Sequence, residues 1–346
     1  MRETADRVDL NWKELPFAYI KTDGHVEYKY SDGKWDDGMI VEEDKISLSI
    51  SAVCLHYGQE CFEGMKVFEA KDGRVLMFRP EENAMRMFRT AKKLVMAQPP
   101  ADMFVNGCER VVRHNKRFIP PYGQGAALYL RPLLIGTSAI IGVRPSDDYT
   151  WLVFATPVGP YFKGGLTPIK LRVEHEVDRA APHGLGDAKS GANYAAGMRS
   201  GVAARNDGFA EVIYLDAREK KWLDETGASN LFGITKDGTY VTPDSETILP
   251  SITNKSLIQC AKDMGMKTER RPVNVDELPD FVEFGACGTA AVITPVGEIQ
   301  NGGRVIRYGK PGEIGPISKQ LYDRLTGIQS GDLEDPHGWT HEIKID

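Results

Sequence analysis

His183-Gly184-Leu185-Gly186-Asp187-Ala188-Lys189-Ser190-Gly191-Ala192-Asn193-Tyr194 sets one lysine in a run of small residues. Glycine takes unusual dihedrals and lets a backbone approach a ligand closely. Gly184, Gly186 and Gly191 therefore mark a crowded backbone with one reachable amine, and Lys189 reads as an amine able to bond a carbonyl cofactor. Taken alone, the same lysine fits a solvated loop, so its neighbours along the chain have to decide. Downstream, Ala195, Ala196, Gly197 and Ala203 suit a tightly packed helix that reaches about Arg205 and stops at Asn206-Asp207-Gly208.

A chain of 346 residues is long enough for about two globular domains. The clearest linker is Pro157-Val158-Gly159-Pro160-Tyr161-Phe162-Lys163-Gly164-Gly165, whose prolines and glycines oppose both helix and strand. The expected division is a small α/β domain over 1–157, an interdomain loop over 158–168 and a larger domain over 169–346. A net charge of -6 leaves no electrostatic footprint for nucleic acid. No run of ~20 apolar residues is available to span a membrane. The opening Met1-Arg2-Glu3-Thr4-Ala5-Asp6 lacks the apolar core of a signal peptide and is too acidic for a transit peptide. Five cysteines without a C-x-x-C pair point to a reducing compartment, so the expected location is cytoplasmic. Cys54, His56 and Cys61 lie close together, but no fourth zinc ligand accompanies them.

Lys66–Ala70, the turn Asp72-Gly73 and Val75–Phe78 predict a hairpin. A helix follows, with Pro80 in its first turn, Glu81 and Glu82 at its start and Lys92 and Lys93 at its end. Its apolar stripe reads Ala84, Met87, Phe88, Ala91, Leu94 and Val95, which puts Arg86 on the solvated side. A second helix falls within 101–125, and strands are expected over 127–135 and 151–156. Side chains alternate along a strand, so Tyr129 and Arg131 share a face. Arg131 fits either a cross-strand ion pair or a clamp for a carboxylate, whose geometry a guanidinium matches. Further strands are expected at Glu211–Leu215, Asn230–Ile234 and Tyr240–Thr242, and from Phe281 into the turn Gly288-Thr289-Ala290. Ser251-Ile252-Thr253-Asn254 opens a helix that runs to Met264, with Gly265 as its stop; its start suits an anion, or simple capping by Ser251 or Thr253. One more helix is expected near Ser318–Thr326, followed by a polar tail.

Seven marks stand in fixed order: Phe62-Glu63-Gly64, Arg86, Tyr129-x-Arg131-Pro132, Lys189 with Asn193-Tyr194, Glu225-x-Gly227-x-x-Asn230-Leu231-Phe232, Leu249-Pro250-x-Ile252-Thr253 and Gly288-Thr289-Ala290. From about Leu55 to Val296 the chain resembles the branched-chain aminotransferases, members of the fold-type IV group of pyridoxal-phosphate enzymes. The resemblance implies an α/β fold with a small α/β domain and a larger pseudo-barrel domain. It implies transamination between leucine, isoleucine or valine and 2-oxoglutarate. Lys189 would hold pyridoxal 5'-phosphate through its amine and later carry the substrate's Cα proton. Tyr194 would bind the ring's phenolic oxygen, and Glu225 would face the pyridine nitrogen. Arg86, Thr289 and the helix start at Ile252 and Thr253 would hold the phosphate, which conflicts with the periodicity reading of Arg86.

On the substrate side, Arg131 with Tyr57 would take the distal carboxylate of glutamate. Phe62, Gly64, Tyr129 and Tyr161 would line the pocket for an apolar side chain, with Ala228 at a wall position that varies among relatives. The backbone at Thr289-Ala290 would take the α-carboxylate. Tyr57 and Val143 would reach the pocket of a neighbouring subunit, implying a homodimer. Two departures stand out: Ser251 replaces a usual glycine, and Ala291 and Thr294 occupy the positions where some relatives carry a redox C-x-x-C pair. The rivals are a P-loop, which Ala188 before the lysine opposes, and two enzymes of the same fold, a D-amino-acid aminotransferase and an aminodeoxychorismate lyase. Asn193-Tyr194, the Tyr-x-Arg-Pro strand and the length favour the branched-chain enzyme.

Overall fold

The computed structural model describes residues 7–345. The chain divides into two compact units. Unit one runs to Lys163 and adds Ala188–Gly191 and the C-terminal stretch from Gly327; unit two holds Gly164–Asp187 and Ala192–Thr326.

Unit one contains β1 (His25–Ser31), β2 (Lys34–Trp35), β3 (Met39–Val41), α1 (Val53–Tyr57), β4 (Glu60–Phe62), β5 (Met65–Glu69), β6 (Val75–Phe78), α2 (Pro80–Lys93), α3 (Ala101–His114), β7 (Ala127–Gly136) and β8 (Tyr149–Val158). Unit two begins with β9 (Ile169–Glu174) and most of α4 (Gly191–Asn206). It continues through β10 (Glu211–Leu215), β11 (Leu223–Thr226), β12 (Asn230–Thr235), β13 (Tyr240–Pro243), α5 (Ile252–Asp263), β14 (Thr268–Arg271), β15 (Phe281–Gly288), β16 (Val292–Asn301), β17 (Arg304–Arg307) and α6 (Pro316–Gln329). The chain then returns to unit one as β18 (Thr340–Ile343).

Unit one is built on a sheet in the order β18-β6-β5-β7-β8-β1-β2, with β3 added to β1 and β4 to β7. The expected hairpin is present, turned at Gly73 with φ +87°. Alternation along β7 sends Leu128, Leu130 and Leu134 into a core with Val67, Met87, Phe104 and Trp151. Tyr129 and Arg131 point to the other face. Helix α3 packs close because it carries Gly107, where a Cβ would stand 2.7 Å from the Trp151 ring. The expected polar tail differs: His341 and Ile343 pair across to Met77 and Val75, so β18 closes the sheet's edge.

Helix α2 also departs from the periodicity reading. Phe88 and Val95 are exposed, while Asn83, Arg86 and Thr90 are buried beside Ala84, Met87 and Ala91. Polar groups go inside when a buried partner satisfies them, and Arg86 has one in Glu63.

Unit two is built on a second sheet, in the order β11-β10-β9-β16-β15-β12-β13-β14 with β17 on β16. Its core gathers Leu171, Ile213, Leu231, Phe284 and Ile299. Helix α5 starts as the sequence suggests: Ser251 Oγ accepts the Asn254 N–H at 3.2 Å, and Gly265 follows its end at φ +77°.

Candidate active site

In unit one, the Lys189 segment is tied to two elements by three hydrogen bonds. The Phe62 N–H donates to the Lys189 carbonyl at 3.0 Å, the Lys189 N–H donates to Thr90 Oγ1 at 3.1 Å, and the Gly191 N–H donates to the Glu60 carboxylate. Strand β4 and helix α2 thus fix where the amine emerges. Lys189 Nζ lies 4.9 Å from the centre of the Phe62 ring. Burial first, and the Arg86 charge second, push the Lys189 ammonium down to about 8, against an upward pull from Glu63. A minor but usable fraction of this amine is therefore neutral near physiological pH.

Arg86 is held by a two-pronged ion pair. Its Nε donates to Glu63 Oε1 at 2.8 Å and its Nη2 to Glu63 Oε2 at 2.7 Å. Glu63 is wholly buried and also accepts from Asn83 Nδ2 at 2.7 Å. A bidentate fork fixes the plane of a guanidinium as well as its place.

Arg131 stacks between rings, its Cζ 4.7 Å from the centre of Phe62 and 5.3 Å from that of Tyr129. Its Nη2 donates to Tyr129 Oη at 3.0 Å. Gly64 makes this possible, since a Cβ there would collide with Tyr129 Oη. Lys189, Arg86, Phe62, Gly64, Tyr129 and Arg131 accordingly form one neighbourhood. Tyr57, Val143 and Tyr161 stay outside it. Tyr57 is exposed and donates to the Ile141 carbonyl, Val143 is 85% exposed, and Tyr161 packs edge-on to Phe162 at 5.0 Å.

Unit two carries a second cluster. Glu225, on β11, is buried and accepts from Asn230 Nδ2 at 2.7 Å and from the Leu249 N–H at 3.1 Å. Arg179 Nη2 stands 3.1 Å from its Oε1. Burial pushes Glu225 up to about 7, against the opposing pull of Arg179, Leu249 and Asn230. Asn254 links this acid's partner to α5, donating to Asn230 Oδ1 at 3.2 Å and accepting from Tyr240 Oη at 2.8 Å. Ile252 and Thr253 are buried at the α5 start, where the first N–H groups have no intrahelical acceptor. Thr289 and Ala290 form the turn between β15 and β16, and Ala228 lies against it: its carbonyl is 3.8 Å from where a Gly288 Cβ would be. Tyr194 is half-buried in the first turn of α4. Asn193 Nδ2 closes the glycine-rich loop by donating to the Leu185 and Gly186 carbonyls at 2.6 and 2.9 Å.

The sequence assigns no role to Arg179, Asn83 or Asn254, the last of which it places only at the start of a helix. Arg179 lies 46 residues before the acid it pairs with, on the far side of the Lys189 stretch, and no local pattern connects the two.

A family model for class IV amino-transferases matches residues 60–299, and the chain belongs to that family. Among curated relatives, the branched-chain-amino-acid aminotransferase of Haemophilus influenzae is 47% identical over 97% of this chain and 99% of its own. That of Helicobacter pylori is 43% identical over 97% and 98%. Among solved structures, the Escherichia coli branched-chain amino acid aminotransferase superposes with a TM-score of 0.79 at 28% identity, covering 94% of this chain and all of that one. A second solved branched-chain amino acid aminotransferase, from T.th. and holding pyridoxamine 5'-phosphate, does so at 0.80 and 25% identity, over 94% of this chain and all of that one. The mixed α/β fold is thus the fold-type IV architecture. No helix among the described residues is long and apolar enough to cross a membrane.

Proposed function

We propose that this chain transfers amino groups between branched-chain L-amino acids and 2-oxoglutarate, with pyridoxal 5'-phosphate held on Lys189. The observation that carries the reading is the Lys189 amine, lowered to about 8 by burial and the Arg86 charge, in a chain 47% identical to a branched-chain aminotransferase. The residues of each unit fit the cofactor's chemistry. Unit one offers the Arg86 guanidinium, and unit two offers Thr289 and the α5 start at Ile252 and Thr253, as donors suited to a phosphate. Tyr194 offers a hydroxyl for the ring's phenolic oxygen, and Glu225 a carboxylate for a protonated ring nitrogen.

When bound, pyridoxal 5'-phosphate supplies a carbonyl that takes up the amino group and a ring that accepts the electrons freed at the substrate's Cα. Lys189 Nζ would accept the substrate's Cα proton and return it; only a neutral amine can do this, and burial leaves part of its population neutral. Glu225 would offer its carboxylate to the protonated ring nitrogen, whose charge would favour the ionised acid. Arg131 takes the distal carboxylate of glutamate with its fork, while Phe62 and Tyr129 give a leucine side chain an apolar wall. One pocket can serve both because the cation is flanked by aromatic faces. In unit two, Ala228 and the Thr289-Ala290 backbone would, by the family likeness, serve the substrate's side chain and its α-carboxylate.

The proposed assembly is a cytoplasmic homodimer in which Tyr57 and Val143 complete the pocket of the neighbouring subunit, with Tyr161 closing over it. Exposed apolar side chains at Ile50, Leu55, Ile141 and Val143 support such a partner surface. A coupled assay with a panel of L- and D-amino acids and 2-oxoglutarate tests the reading. The expected result is activity with leucine, isoleucine and valine in the L form; activity confined to D-amino acids would overturn it.

A further inference from the structure

Asp224 and Glu225 are consecutive residues of β11, and both are almost wholly buried. A single guanidinium serves the two. Arg179 is only 6% exposed; its Nη2 lies 3.1 Å from Glu225 Oε1 and also donates to the Thr247 carbonyl. Asp224 accepts from Thr247 Oγ1 at 2.6 Å, and its Oδ1 has no hydrogen-bond partner. The other titratable group facing Glu225 is the Cys287 thiol on β15, pushed up by burial and then by the Glu225 charge. Two acids and one base thus share a volume from which water is excluded. Buried charge without a counter-charge is costly, and such groups respond by binding protons. Both acids are raised from their ordinary range by burial, and for both the Arg179 charge pulls the other way.

We propose that Arg179 is a positioning residue that holds Glu225 as an oriented carboxylate, ready for a protonated ring nitrogen. The proposal rests on the reading that Glu225 serves the cofactor. Three donors converge on Glu225, but only Arg179 brings a full positive charge. Asn230 and the Leu249 N–H can orient the acid without offsetting its charge. Removing Arg179 leaves two buried acids with no cation among their named partners, so Glu225 keeps its proton to higher pH. A neutral carboxylic acid there no longer stabilises a cationic ring nitrogen.

The test is made on cofactor-free protein. Glu225 is titrated by carbon NMR on glutamate-labelled chain, with Glu225→Gln to assign its signal, in wild type, Arg179→Met and Arg179→Lys. The expected midpoints are about 7 in wild type, higher by about one unit or more in Arg179→Met, and intermediate in Arg179→Lys, which restores a charge without the fork. A purely structural role would lower the melting temperature and leave the midpoint in place; that result overturns the proposal. Should Arg179→Met not fold, Arg179→Lys decides alone, a raised midpoint supporting the role and an unchanged one refuting it. The cofactor reading fails separately, if Glu225→Gln leaves the absorbance of the reconstituted protein unchanged.

Discussion

Replacing Arg131 with Met separates the two kinds of substrate that one pocket has to serve. The guanidinium lies between Phe62 and Tyr129, 4.7 and 5.3 Å from their ring centres, and its Nη2 donates to Tyr129 Oη. Methionine keeps an unbranched apolar stem in that slot but cannot donate to a carboxylate. Hydrogen bonds to charged groups contribute ~1.5–3 kcal/mol. With 1.36 kcal/mol for each factor of ten, kcat/KM for 2-oxoglutarate should fall about 10- to 150-fold. Leucine makes no use of the charge. Its loss is confined to the packing that the cation gave the rings, worth ~0.5 kcal/mol at a partly exposed site or about two- to threefold. The assay is two single-turnover half-reactions followed by cofactor absorbance, one started with leucine and one with 2-oxoglutarate. Equal losses in both halves would refute the carboxylate role of Arg131.

Gly64→Ala drives a Cβ into Tyr129 Oη unless the ring moves. Overpacking of this kind costs ~1–3 kcal/mol, so denaturant unfolding of the cofactor-free protein should show a loss of that size, and wild-type stability would count against the close packing. Ser251→Ala removes the oxygen that caps α5 through Asn254; it should cost ~0.5–2 kcal/mol of stability and weaken cofactor rebinding. Unchanged values for both would mean that the cap carries no weight at the phosphate end.

The sequence made much of the frame readable. The hairpin of β5 and β6, helices α2, α4 and α5, and the β7 face shared by Tyr129 and Arg131 all follow from periodicity and turn residues, which are local properties. What periodicity misjudged was the inner face of α2. It ranks side chains by hydrophobicity alone, whereas Arg86 is buried because Glu63, on another element, neutralises it. Strand β18 was hidden for a related reason: Thr340-His341-Glu342-Ile343 looks polar until β6 supplies its ladder. The candidate site residues stand out as ordered motifs, whereas the side chains that support them do not. Arg179, Asn83 and Asn254 act through contacts made distant in sequence by the fold. Tyr57, Val143 and Tyr161 stay outside the Lys189 neighbourhood, and their roles rest on a partner chain or on loop closure.

Unit one holds two lysines whose ammonium groups are lowered to about 8: Lys66 by burial, and Lys189 by burial and then Arg86. Ease of deprotonation therefore cannot choose between them; the company of Phe62, Arg86 and Thr90 does. The most direct measurement is borohydride reduction of the protein reconstituted with pyridoxal 5'-phosphate, followed by peptide mapping. A phosphopyridoxyl mass on the Lys189 peptide alone is the predicted result. The same mass on Lys66 or any other lysine, or no fixed label at all, would contradict the account.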